Sequence, residues 1–212
     1  MSLRPRRSPS GRSQPMRARR FGAAIALLGT LAFVTASPAA TAPGGVRDDV
    51  RDGAHDFDFD LGAWHTHSRR LLHPLAAASD WIELDGTTIV KKIWDGRANL
   101  AEYSADGPSG HLQLLALRWY SPAAHQWYLD FATPQVGTLG VPGVGQFTNG
   151  RGEFYDEETI GGRSVLVRFS IWGITPDTAQ SEQAFSDDGG KTWEVNWVNY
   201  YTRLESAAGA AR

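Results

Sequence analysis

Residues 57–71 read FDFDLGAWHTHSRRL, a string that two incompatible structures could carry. One is a metal site built on His65 and His67; the other is the first strand of a β-barrel. On a strand, the two imidazoles project to the same side about 7 Å apart, a separation that metals use. Asp56, Asp58 and Asp60 supply acceptors nearby. Trp64 competes for the same strand, and a large indole has a stronger claim on the interior than an imidazole. Strict alternation then carries Thr66 and Ser68 inward with Trp64 and sends His65 and His67 to solvent. No third ligand can be placed to converge on the histidines, so the barrel strand is preferred and no metal ligand is assigned.

The rest of the chain follows the same pattern. Short runs rich in Val, Ile, Thr and aromatic residues alternate with Gly, Pro, Asp and Asn, and no run of ten residues has helical periodicity. Strands are expected at 64–72, 81–84, 87–94, 98–104, 111–120, 126–133, 145–148, 152–159, 164–172, 179–186 and 192–203. IGGR (160–163) and SDDGGKTW (186–193) read as tight hairpins, and YSPAAHQW (120–127) as a longer loop with Pro122 at a turn position. TPQVGTLGVPGVGQF (133–147) is too rich in Gly and Pro for a strand and reads as a mobile loop over one end. About ten short strands joined by hairpins predict an all-β domain, a single antiparallel barrel that closes to remove its edges. On the last strand, Trp193, Val195, Trp197, Asn199 and Tyr201 share one face.

The first twenty residues hold seven arginines and no acid, followed by the apolar FGAAIALLGTLAFV and the small-residue TASPAATAPGG. That order is the layout of a secretory signal, expected over 1–42, with a tandem Arg19-Arg20 that weakly suggests twin-arginine export. A flexible spacer over 43–56, a barrel domain over 57–204 and a disordered tail over 205–212 complete the expected organisation. Without the seven arginines, 14 Lys and Arg face 23 Asp and Glu, a net charge of −9. Such a surface repels nucleic acid. After signal cleavage no integral membrane segment is expected, and the protein is read as periplasmic or secreted. There is no cysteine, so neither a disulfide nor thiol chemistry contributes.

Glu102, Arg118 and Arg168 each lie within an apolar strand, where a charge is costly unless paired. If two of them turn inward they form a buried ion pair or grip a carboxylate-bearing ligand; the alternative is an outward-facing charge. Eight Trp, six Tyr and nine Phe exceed what a small core requires, so some rings are candidates to line a cavity. The candidate ligand-binding set is Trp64, Glu102, Arg118, Phe131, Arg168 and Trp197. Asp156 and Glu158 share a face beside a Gly-Gly turn and read as a solvated hairpin end rather than an acid–base pair. SDDGGKTW fits an Asp-box, a structural hairpin in which Ser186 and Asp188 bond turn amides, Gly190 supplies an open φ and Trp193 anchors the next strand. No nucleophile elbow, phosphate-binding Gly loop or HExxH is present.

FDFDLGAW, YSPAAHQW, VLVRFSIW and SDDGGKTWEVNWVNYYTRL, in this order, resemble the DUF1579 family, a group of bacterial lipocalin-like proteins. The matching residues are Phe57, Phe59, Gly62 and Trp64; Tyr120, Pro122 and Trp127; and residues 186–193 with Tyr201 and Arg203. The resemblance spans about 57–204 and implies a calycin-like barrel. It further implies that Trp64, following Gly62, packs under Arg203 of the last strand as a cation–π stack of roughly 1 kcal/mol. The chain departs from the family pattern at Asp60, where an aromatic is usual, and at Gln180-Ser181, where Arg-Gln is usual. The family supplies no established activity.

The function expected is binding of a small, partly apolar or carboxylate-bearing molecule, with no cofactor and no assigned catalytic residue. One alternative is a pocket isomerase, cyclase or hydrolase using an inward Glu102 or Asp130 as general acid or base. Another is an interaction module with a filled core.

Overall fold

Ten strands carry nearly all of the described chain: β1 (Gly62–Leu71), β2 (Trp81–Ile93), β3 (Ala98–Gly107), β4 (Gly110–Ser121), β5 (Gln126–Ala132), β6 (Gly143–Thr148), β7 (Arg151–Ile160), β8 (Arg163–Trp172), β9 (Thr178–Ser186) and β10 (Glu194–Arg203). Each pairs antiparallel with the next, and β10 returns to β1 to close a barrel. Closure leaves no free sheet edge, and the architecture is the calycin-like barrel expected. The computed structural model describes residues 51–77 and 79–205. The expected signal, most of the spacer and the tail beyond Glu205 lie outside the described residues. Among the described residues no helix is long and apolar enough to cross a membrane.

Two expectations about the strands need correcting. The runs at 81–84 and 87–94 form one 13-residue strand, because Gly86 is not a turn. A Cβ at Gly86 would lie 2.0 Å from the Ser104 carbonyl oxygen of β3; the glycine permits close approach of the neighbouring backbone. On β10, a bulge between Val195 and Trp197 breaks the expected shared face. Trp193 lies outside the barrel, with the Arg168 guanidinium 4.7 Å from its ring centroid and Tyr155 edge-on to it. Trp197, Asn199 and Tyr201 face the interior.

The hairpins form as read. Gly161 and Gly162 both have positive φ, 58° and 79°, the requirement of a two-residue turn between right-twisted strands. In the SDDGGKTW turn, Asp188 Oδ1 accepts from the amides of Lys191 and Thr192 at 3.0 Å each, and Ser186 Oγ accepts from the Gly190 amide at 2.8 Å. The Thr192 amide and hydroxyl, the Ser186 hydroxyl and the Lys191 amide, all donating to Asp188, hold its carboxyl far below its ordinary range.

One end of the barrel is sealed by residues 53–61. Phe57 is buried among Trp127, Phe147 and Phe154, and the Trp127 indole donates to the Gly53 carbonyl at 2.8 Å. The spacer expectation therefore fails for 53–56. Ala54 is buried, and the Gly53 amide donates to the Tyr120 hydroxyl at 3.1 Å, so these residues belong to the seal. Trp64 is fully buried, with its indole donating to the Asp60 carbonyl at 2.7 Å. Above it lies Arg203, with its guanidinium carbon 3.9 Å from the ring centroid. That guanidinium donates to the carbonyls of Leu61 (2.9 Å), Phe59 (2.6 Å) and Pro176 (2.6 Å). Gly62 has φ 114° and leaves room for it: a Cβ there would stand 3.1 Å from Arg203 Nη1.

Arg203→Ala removes the cation from the indole and the donors from three carbonyls. It is expected to lower stability by about 3 kcal/mol in urea unfolding, with Arg203→Lys recovering only part. A loss under about 1 kcal/mol would show that the seal does not depend on this contact.

Candidate functional site

Inside the barrel, above the seal, lies a cavity of about 140 Å³. Side-chain alternation sets its lining. β3 contributes Ala101 and Tyr103, β4 Leu114 and Arg118, β5 Leu129 and Phe131, and β7 Phe154, Asp156 and Glu158. β8 adds Val167 and Phe169, β9 Gln183, and β10 Trp197, Asn199 and Tyr201. A cavity of this size holds a single-ring molecule: an apolar cavity of about 150 Å³ takes up benzene, whereas drug-sized ligands need about 300 Å³ or more.

The polar groups divide into two walls. Around β1, β9 and β10 they satisfy one another. Ser68 Oγ donates to Asn199 Oδ1 at 2.7 Å and pairs with the Tyr103 hydroxyl at 2.9 Å. The Trp197 indole donates to Asn199 Oδ1 at 2.9 Å, and Asn199 Nδ2 donates to Ser181 Oγ at 3.0 Å. Ser181 pairs with the Tyr201 hydroxyl at 3.0 Å. Desolvation inside the barrel pushes the Tyr201 phenol up to about 12, so both it and Tyr103, also raised by burial, stay neutral.

The opposite wall is β7, and there the balance fails. Phe154 packs on the seal, Asp156 stands one inward step above it, and Glu158 stands a further step toward the mouth. Asp156 Oδ1 is inaccessible to solvent and has no hydrogen-bond partner. Burial, with the charges of Glu158 and Asp130 behind it, pushes this carboxyl up to about 7. The sequence places these two acids at a solvated hairpin end; the structure turns both into the cavity. Their shared parity with Phe154 was the available signal, since an inward Phe154 brings positions 156 and 158 inward too.

Of the six residues expected to bind ligand, Arg118, Phe131 and Trp197 line the cavity. Trp64 lies beneath it as part of the seal. Glu102 and Arg168 are corrections. Glu102 is exposed on the outer face, because the small Ala101 and larger Tyr103 take the inward positions while Leu100 and Glu102 point out. Arg168 lies between inward Val167 and Phe169, and its outward guanidinium donates to Glu182 Oε1 at 3.3 Å. Arg118 is buried and ion-paired with Asp60, its guanidinium over the Phe57 ring at 4.8 Å. Its partner comes from the seal, where sequence reasoning looked only among the strands. Asp130, expected inward, faces away from the cavity, and its Oδ1 accepts from the amides of Phe131 (2.8 Å) and Gly140 (2.9 Å).

That last contact pins the 133–142 segment. β6 pairs with β5 only through Trp127–Leu129 and with β7 only as far as Tyr155. The 133–142 segment follows β5, and its Val136, Thr138, Gly140 and Val141 lie with Glu157 and Glu158 around one surface depression. Val136, Leu139 and Val141 are exposed on this segment. His65 and His67 lie on the outer surface near Asp85, with His67 Nδ1 3.1 Å from Asp85 Oδ1 and His65 Nε2 3.6 Å away. Among the described residues no group of three or more His, Asp or Glu side chains is arranged to hold a metal ion.

No family model and no curated protein matches the sequence. Among solved structures, the chain resembles an S-type phycobiliprotein lyase, CPES, from Guillardia theta, with a TM-score of 0.50 at 12% identity, covering 74% of this chain and 95% of that one. A de novo designed fluorescence-activating β-barrel gives a TM-score of 0.39 at 12% identity, covering 73% and 99%. A redesigned barrel bound to DFHBI gives 0.39 at 8%, covering 72% and 100%. The lyase shares the barrel fold.

The raised carboxyl at Asp156 has a consequence for stability. Its folded value lies above its unfolded one, so between about pH 4 and pH 7 the folded state holds the extra proton and stability falls as pH rises. Asp156→Asn is therefore expected to match the wild type at pH 4 and to exceed it at pH 8. After discounting for partial exposure, the gain is about 1 kcal/mol, or about 3 °C in Tm. Equal Tm values at pH 8 would contradict the burial argument.

Proposed function

We propose that this chain is a binding barrel that holds one small, mainly apolar, ring-sized molecule above the Phe57–Trp64 seal. The observation that carries the reading is the 140 Å³ cavity walled by Tyr103, Phe131, Phe154, Phe169, Trp197 and Tyr201. A filled core, as an interaction module would have, is harder to reconcile with that space. A ligand carboxylate is no longer favoured: Arg118 is engaged by Asp60, Arg168 faces outward, and the cavity's free charges are themselves carboxylates. The N-terminal basic, apolar and small-residue order supports export, and the ordered motifs from Phe57 to Arg203 support a DUF1579-like barrel.

A second reading is favoured by one observation. A carboxyl pushed up to about 7 by burial is suited to exchange protons near neutrality, so Asp156, rather than Glu102 or Asp130, would serve as the general acid or base. A pocket enzyme would turn its ligand over; a binding barrel would return it unchanged.

The test is native mass spectrometry of protein purified from its own host, followed by thermal shift against single-ring compounds. A ligand at a hundred times its Kd stabilises by about 2.7 kcal/mol, a Tm rise of about 5–10 °C. Gln183→Trp, which fills the cavity from β9, is expected to abolish that rise. No retained mass together with no Tm shift across the panel would sink the binding reading.

A further inference from the structure

Resting on the binding reading, we infer that the cavity selects an organic cation: a protonated amine carrying one ring, its nitrogen against the Asp156 carboxylate and its ring between the aromatic walls. The argument begins with what the interior lacks. Around β1, β9 and β10 the hydroxyls of Ser68, Tyr103, Ser181 and Tyr201 and the Asn199 amide already have protein partners, and Gln183 offers only a neutral amide. The Thr66 and Thr88 hydroxyls also pair with each other at 2.7 Å. An incoming donor finds its acceptor at Asp156, where Oδ1 is buried and unpartnered. Glu158 stands one inward step nearer the mouth and adds a second negative charge along the approach.

A neutral donor would satisfy Oδ1, but three features favour a charged one. Burying a carboxylate without a counter-charge is costly, and a cation in contact offsets that cost. The faces of Trp, Tyr and Phe rings attract cations further, and the lining supplies all three. Residues 43–212 hold 23 acidic against 14 basic residues, a field that concentrates cations at the surface. At the inner end, Arg118 is 6% exposed and its Nε has no partner, so an acceptor atom on the ligand's far side would also be matched.

The charged groups around Asp156 set the pH dependence. Glu158 lies on the same strand and Asp130 on β5. Arg118 on β4 is neutralised by Asp60. Tyr103 on β3 and Tyr201 on β10 remain neutral phenols. β6 presents Gly143, β8 Val167 and Phe169, and β9 Gln183, none of which titrates, and the 133–142 segment contains no ionisable side chain. Asp156 therefore gains charge near neutrality, at about pH 7, beside Glu158, whose carboxyl is also raised by burial. Amine binding should strengthen as pH rises through that value.

Isothermal titration calorimetry with benzylamine, benzyl alcohol and benzoate at pH 5.5 and 8.0 tests this. All three share one ring, and benzylamine stays cationic at both values. Benzylamine is expected to bind at least about tenfold tighter than benzyl alcohol at pH 8.0. That advantage should shrink at pH 5.5, and Asp156→Asn should remove it. Glu158→Gln should reduce it by a smaller factor. Benzyl alcohol or benzoate binding as tightly as benzylamine at pH 8.0, or an advantage that survives in Asp156→Asn, overturns the assignment of a cation but leaves the binding barrel standing. If none of the three binds at either pH, the cation assignment falls with the binding reading.

Discussion

The Arg203 guanidinium lies over Trp64 while its nitrogens reach the carbonyls of Phe59, Leu61 and Pro176, and this contact fixes which end of the barrel is shut. It joins the last strand to the segment that precedes the first. It thereby locks the β1–β10 pairing, the longest closure in sequence and the one most expensive in chain entropy. With Phe59 and Leu61 held, Phe57 lies between Trp127 and Phe154 and Asp60 lies against Arg118. The aromatic seal, the buried ion pair and the floor of the cavity thus follow from one cation on one indole. Glycine at position 62 is part of the same device, because its φ of 114° is a conformation that a side chain would resist.

A sealed floor makes the interior asymmetric, and the polar residues reflect that. Near the floor, charge is cancelled: Arg118 meets Asp60, and each would be costly to bury alone. Along β1, β9 and β10, Ser68, Asn199 and Ser181 join Tyr103, Trp197 and Tyr201 in one chain of hydrogen bonds. On β7 the inward positions pass from Phe154 to Asp156 to Glu158, from apolar to half-buried acid to exposed acid. Negative charge therefore increases toward the mouth on one wall only. Residues 133–142 run beside that wall.

Much of this was legible in the sequence where alternation is unambiguous. Trp64 had to be inward, so His65 and His67 had to face water. The Gly-Gly and Asp-box turns have their own chemistry, and both formed. Reading failed where parity is ambiguous. In NLAEYS the inward residues are the small Ala101 and Tyr103, while the apolar Leu100 is outside, so hydrophobicity alone misplaces Glu102. On β10 the Asn196 bulge shifts the phase in mid-strand and separates Trp193 from Trp197. Gly86 looks like a break and is instead a close contact between two strands. Asp60 escaped notice as the partner of Arg118 because it precedes the barrel by sequence and joins it only through the seal.

Asp156 failed differently, for the reason that makes it informative. Its neighbours Glu157, Glu158 and Thr159 are exposed, so the local composition describes a wet hairpin end, while the alternation from Phe154 places the carboxyl inside. Local preference and global fold disagree there. Such disagreements are resolved against stability where a site requires it. An apolar residue at 156 would continue the wall formed by Phe154 and Val167 without the desolvation penalty. The hydroxyl and amide ladder across the cavity finds its partners within the chain. The carboxyl on β7 is left without a donor from the chain, and a donor from outside is the physical complement of that arrangement.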